Sequence, residues 1–144
     1  MAEPIFTGRY FAAFSEELSE NKSFIGLIHP CFRFRHKGKI IINQDGIVLT
    51  GLKEIHFNEI VKIELSYDSV YNRFWAGRIV GQYPSPAFFF HGKPLIIEFS
   101  KGDRKKRLYL LINWRFLSGF TDNEHVYKII NRVLTERYCN KNEL

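Results

Sequence analysis

Short apolar runs, broken at close intervals by turn-forming residues, occupy residues 28–66 and 95–112 and restrict the chain to a meander of short strands. Phe32 and Phe34 alternate with Arg33 and Arg35, and His36-Lys37-Gly38-Lys39 supplies a polar turn before Ile40-Ile41-Ile42, the pattern of a first hairpin. Asn43-Gln44-Asp45-Gly46 holds the Asp-Gly pair that readily takes left-handed turn conformations, and Ile47-Val48-Leu49-Thr50 follows as a third strand. After Gly51 and Leu52, Ile55 and Phe57 alternate with His56 in a short fourth strand. Beyond Asn58-Glu59 a longer fifth places Val61, Ile63 and Leu65 on one face and Lys62, Glu64 and Ser66 on the other. Leu95 to Phe99 and Arg107 to Ile112 resume the pattern around a strongly basic turn, Lys101-Gly102-Asp103-Arg104-Lys105-Lys106. Ahead of all these, Tyr10 to Leu18 reads as a short helix or a hairpin strand.

The periodicity changes near the C-terminus. Val126, Ile129, Ile130, Val133 and Leu134 recur at spacings of three and four, which puts them on one face of a helix, with His125, Lys128, Arg132 and Glu136 in a polar sector. Thr121 followed by Glu124 has the spacing of a capping box, and Asp122 adds negative charge near the helix start. Such a helix closes over a sheet.

Between Tyr67 and Lys93 no period persists. Aromatic residues and glycines are mixed with Pro84 and Pro86, which oppose a regular central strand. The stretch reads as a long aromatic insertion in which Phe88-Phe89-Phe90 either cover the core or stay partly exposed.

A chain of 144 residues is long enough for one core without metals or disulfides. Cys31 and Cys139 are far apart and outside any CxxC pattern, so reduced structural cysteines are expected. The opening MAEPIFTGRYF lacks a basic region leading into a long apolar run, and no stretch approaches the roughly 18 apolar residues of a membrane span. A cytoplasmic protein is the expectation, with Asn21-Lys22-Ser23 a glycosylation sequon by chance. The formal charge of +6 is unevenly placed: residues 1–72 carry 8 basic and 9 acidic side chains, residues 73–144 carry 13 and 6. That surplus favours anionic partners, although it also serves solubility.

The strands, roughly seven in number, followed by a single capped helix, resemble the pleckstrin-homology-like superfamily in architecture. Gly38-Lys39-Ile40-Ile41-Ile42 through Gly46-Ile47-Val48-Leu49-Thr50, and then Ile55-His56-Phe57-Asn58-Glu59-Ile60-Val61-Lys62-Ile63, are similar to segments of its bacterial PH and GRAM-like members. The resemblance covers about Cys31 to Arg137 and implies a mostly β fold, a bent antiparallel barrel plugged by the C-terminal amphipathic helix. On that reading residues 1–30 form an N-terminal segment packed on the domain, 31–138 the PH-like domain with an insertion at 67–93, and 139–144 a short tail. Phosphoinositide-binding members carry basic residues around the first hairpin, where Arg33, Arg35, Lys37 and Lys39 stand here. The full lipid-binding motif is absent, and fold does not fix function.

Two kinds of candidate site follow. Arg33, Arg35, Lys37 and Lys39, with the denser cluster Lys101, Arg104, Lys105, Lys106 and Arg107, are candidates for an anion or lipid surface; solvated strand faces and turns explain the same charges. Tyr71, Phe74, Trp75 and Tyr83 are candidates for a partner surface, against the alternative of internal packing or a homo-oligomer contact. No HExxH spacing, phosphate-cradling glycine loop or G-x-S-x-G elbow occurs, so neither a catalytic site, a metal site nor a cofactor is expected. No zinc-finger, long basic helix or RNP-like pattern supports nucleic acid, which ranks last. The expectation is a non-enzymatic binding or scaffolding module that engages an unknown protein or a second copy of itself. The alternative is peripheral attachment to anionic lipids at the inner face of a membrane.

Overall fold

The computed structural model of the chain describes residues 4–20, 34–66, 79–80, 83–84, 93–115 and 120–142. Strand β1 (Phe6–Phe14) is followed by a short helix α1 (Ser15–Glu20), then β2 (His36–Ile42), β3 (Gly46–Leu49), β4 (Lys53–His56) and β5 (Ile60–Leu65). A two-residue pair, β6 (Ile79–Val80) and β7 (Tyr83–Pro84), precedes β8 (Leu95–Lys101), β9 (Arg104–Ile112) and the long helix α2 (Asn123–Asn142). Seven strands form one antiparallel sheet in the order β4-β3-β2-β1-β9-β8-β5. The two edge strands, β4 and β5, are consecutive in the chain and joined by a 3-10 turn, Phe57–Glu59. The sheet therefore curls into a nearly closed barrel with its seam between them, and α2 packs on the barrel, so the fold is mostly β with a C-terminal capping helix.

Of the N-terminal segment the described residues are 4–20, and β1 within them is the middle strand of the sheet, paired with β2 on one side and β9 on the other. The polar stretch 36–39 is not a turn. It is the first half of β2, with Lys37 opposite Phe11 and Lys39 opposite Arg9. Period-two alternation explains this: Lys37 and Lys39 point outward while Gly38 and Ile40 face the interior. Glycine is required at 38, since a Cβ there would lie 2.6 Å from the carbonyl oxygen of Thr50. Thr50 is fixed in that place by the Tyr10 hydroxyl donating to its carbonyl at 2.7 Å and by Lys39 N–H donating to its Oγ1 at 2.8 Å.

The basic turn is shorter than its sequence reading. Arg104, Lys105 and Lys106 belong to β9, and only Gly102 and Asp103 connect the strands, with Gly102 at φ 67. In β5 a register shift between Ile60 and Lys62 breaks the alternation, so Ile60 and Ile63 pack against the core while Val61 is 52% exposed.

Two cores share the sheet. Inside the barrel lie Tyr10, Ala12, Ile40, Ile42, Leu108 and Leu110 with the α2 residues Val126, Ile129, Ile130 and Val133. Ala13, Ile96, Tyr109 and Leu111 form a second cluster on the outer face, together with Leu18 of α1 and Phe34. Burial on both faces is why β9 reads as an unbroken apolar run from Leu108 to Ile112. At roughly 1.5–3 kcal/mol per fully buried aliphatic side chain, both clusters are substantial sources of stability.

The helix is tied to the sheet by one buried amide. Asn123 is 1% exposed; its Oδ1 accepts the Ile112 N–H at 2.8 Å, and its Nδ2 donates to the carbonyls of Lys93 at 2.7 Å and Leu110 at 3.1 Å. The capping box is replaced by other contacts: the helix starts at Asn123, Thr121 Oγ1 lies 3.4 Å from Asn123 N, and Glu124 pairs with Lys128. Asn123→Ala leaves the Ile112 N–H and two carbonyls without this partner, so urea unfolding should show a loss of about 2–3 kcal/mol through a lower midpoint at an unchanged slope.

Candidate functional site

The densest positive charge is where β8 turns into β9. Their register sets Lys101 opposite Arg104, Ser100 opposite Lys105, Phe99 opposite Lys106 and Glu98 opposite Arg107. Because Phe99 faces the barrel interior, alternation places Lys101, Arg104 and Lys106 on the same side as Phe99, with Lys105 and Arg107 on the other.

Lys53, the first residue of β4, joins the inner group. Its ammonium lies 4.2 Å from the centre of the Phe99 ring. Burial disfavours the Lys53 charge, and the like charges of Lys101 and Lys106 push its pKa down further, against an opposing pull from Glu59. Lys106 also lies over the Phe14 ring, 5.2 Å from its centre. Cations held over aromatic faces keep their charge close to apolar surface.

Arg107 is differently placed. Its guanidinium is 3.4 Å from Glu64 and 3.7 Å from Glu98, and its Nε donates to the Tyr109 hydroxyl at 3.1 Å. The Arg107 charge is thereby shared within the sheet, whereas Lys101 and Arg104–Lys106 project from the hairpin and are exposed. A depression of ≈ 450 Å3 beside them is lined by Arg104, Lys105 and Lys106 and by Phe14, Glu16 and Glu17, so α1 offsets part of the charge on that flank.

Of the other sequence candidates, Lys37 and Lys39 line a separate cleft of ≈ 730 Å3 on the outer face of β1 and β2. Arg35 is exposed just before β2. Arg33, Tyr71, Phe74 and Trp75 lie outside the described residues; Tyr83 falls in β7, and its side chain lies outside them too. Sequence reasoning passed over Lys53, Arg9 and Arg115. For Lys53 the signal exists, because alternation that turns Ile55 inward turns Lys53 inward as well. Arg9 and Arg115 have no such signal, since they join Lys37 and Lys39 only through strand pairing remote in sequence.

Among the described residues no three side chains of metal-ligating type come together, and no helix is long and apolar enough to cross a membrane. No protein-family model matches the chain, and neither the curated proteins nor the solved structures contain a match.

The crowding of Lys53 is measurable. Its folded pKa lies below the ordinary 10.5, so the unfolded chain binds more protons between the two values. The penalty is fully present below the folded pKa and fades as pH rises toward that of the unfolded chain. Lys53→Met keeps an apolar chain over Phe99 and removes the charge. Its melting temperature at neutral pH and low salt should exceed that of the wild type, with the gap narrowing in high salt or at pH above 10.

Proposed function

We propose that the chain is a non-enzymatic binding module of pleckstrin-homology-like architecture that attaches peripherally to anionic membrane surfaces through the hairpin end of its barrel. The architecture is supported by the strand order. With the β6–β7 pair set aside as an insertion, seven consecutive strands follow one another as two meanders joined by β1 and β9, and a single helix follows the last strand.

The observation that carries the membrane reading is the state of Lys53. The charge of a lysine packed on an aromatic ring is disfavoured first by burial and then by Lys101 and Lys106, against the pull of Glu59, and an anionic surface would add counter-charge there. Arg104 and Lys105 extend the same edge outward. Each cation near such a surface contributes about 1 kcal/mol, so four or five acting together suffice for reversible attachment. A protein partner would instead be engaged by the aromatic insertion, whose candidate side chains lie outside the described residues. Localisation at the cytoplasmic face of a membrane belongs to this proposal.

Co-sedimentation with vesicles tests it. The protein should pellet with phosphatidylserine-containing vesicles, fail to pellet with phosphatidylcholine alone, and dissociate as salt rises from low to near-physiological. Lys101→Gln/Lys106→Gln should weaken the partition about thirtyfold, the equivalent of about 2 kcal/mol for two cations. Equal binding to neutral and anionic vesicles, insensitivity to salt, or an unaffected double variant would each refute the assignment.

A further inference from the structure

The larger cleft is built by different residues and poses a different chemical question. Register puts Arg9 of β1 directly opposite Lys39 of β2, and Phe11 opposite Lys37, all four on the outer face of the barrel. Like charges set directly across an antiparallel pair repel, so the Arg9–Lys39 pairing is a cost that the fold carries.

The far wall comes from the chain after β9. Asn113 takes the left-handed conformation, φ 54, and turns the chain back over β1. It is held on both sides: its N–H donates to the Arg9 carbonyl at 2.8 Å, its Oδ1 accepts the Arg9 N–H at 2.8 Å, and its Nδ2 donates to Asp122 at 2.7 Å. Glycine at 8 permits this approach, since a Cβ there would meet Asn113 Oδ1 at 2.9 Å.

So fixed, Asn113 leads into Trp114 and Arg115, which line the cleft together with Arg9, Phe11, Lys37 and Lys39. Asp122 holds the Arg115 guanidinium at 3.1 Å. Burial raises the Asp122 pKa, but hydrogen bonds from Asn113 and Arg115 and the nearby positive charges outweigh that and keep it below the usual carboxylate range. Among the described residues, Arg9, Lys37 and Lys39 have no carboxylate within ion-pair distance.

Two chemistries thus meet in one cleft of ≈ 730 Å3, a volume ordinary for a small-ligand site. One end presents cations that repel one another and suit a polyanion with several acceptor oxygens. Two residues along β1, about 7 Å, Phe11 stands beside Trp114 with ring centroids 6.5 Å apart. Simple anions would use only the cations, and an apolar ligand only the rings.

We propose that this cleft binds a nucleoside diphosphate or triphosphate, its phosphates among Arg9, Lys37, Lys39 and Arg115 and its base against the Phe11–Trp114 side. The site is separate from the hairpin end, so nucleotide binding and vesicle attachment can fail independently.

Titration calorimetry of the full chain with ADP, in buffer free of divalent cations, tests the assignment, with inorganic pyrophosphate and adenosine as partial ligands. ADP should bind at least tenfold more tightly than either. Arg9→Gln/Lys39→Gln changes two exposed side chains and should weaken ADP binding at least tenfold, whereas Lys101→Gln/Lys106→Gln should leave it unchanged. The groove variant also relieves the Arg9–Lys39 repulsion, so its melting temperature should match or exceed that of the wild type, which separates lost binding from lost folding. Absence of ADP binding would overturn the proposal, as would equal affinity for ADP and pyrophosphate, or loss of binding in the hairpin variant only. Binding to phosphatidylinositol-bisphosphate vesicles that depends on Arg9 and Lys39, with ADP silent, would overturn the nucleotide and assign the cleft to a lipid headgroup.

Discussion

The three hydrogen bonds of the Asn123 side chain decide how the helix meets the sheet. An apolar helix face specifies burial without specifying position, because hydrophobic attraction is non-directional. The amide removes that freedom by joining the first residue of α2 to the end of β9 and to the residue-93 approach to β8. With that end pinned, Val126, Ile130 and Val133 fall into the barrel, and at the distal end Arg137 reaches the Gln44 carbonyl at 3.1 Å. The adjacent residue, Asp122, faces away from the core and holds Asn113 and Arg115. One turn of chain therefore sets both the helix and the wall of the larger cleft.

The two-sided burial of the central strands has a second effect. A barrel whose outer face were wholly polar could place charge anywhere on it. Here the outer cluster of Ala13, Ile96, Tyr109 and Leu111 occupies the middle of that face, and cations remain at its margins: the β1–β2 side with Arg9, Lys37 and Lys39, and the hairpin end with Lys105. The β1–β2 site lies at that margin, whereas most of the hairpin site gathers on the Phe99 side of the sheet, and each keeps aromatic rings within reach of its cations.

Legibility in the sequence followed the range of the interactions involved. The C-terminal helix is readable because its apolar spacing is local; the Asn43–Gly46 turn is readable in position but not in kind, since neither Asp45 nor Gly46 takes the left-handed conformation expected of Asp-Gly, and Asn43 Oδ1 instead accepts the N–H groups of both. His36 to Lys39 was misread because Lys-Gly-Lys has turn composition, while its extended shape depends on β1 and on Thr50, neither of which is adjacent in sequence. Period-two counting puts Val61 on the apolar face because it carries no sign of a bulge one residue away. The cationic hairpin could be seen as charge, but its inner and outer faces could not, and that division separates the sheet-bound Arg107 from the projecting Lys101 and Arg104.

Both cationic groups gather like charges. Burial, and after it Lys101 and Lys106, disfavour the Lys53 charge against the pull of Glu59, and Arg9 sits across from Lys39 where β pairing rewards opposite signs. Scattered surface charge provides solubility without such costs, since cations spaced beyond a Debye length of about 8 Å barely repel. Convergence, by contrast, concentrates potential at two places, which Glu16, Glu17 and Glu59 at one and Asp122 at the other offset in part. On the two proposals an anion arriving at either place would remove a repulsion as well as add an attraction, which would couple its binding to the stability of the β1–β2 pair or of the β8–β9 hairpin.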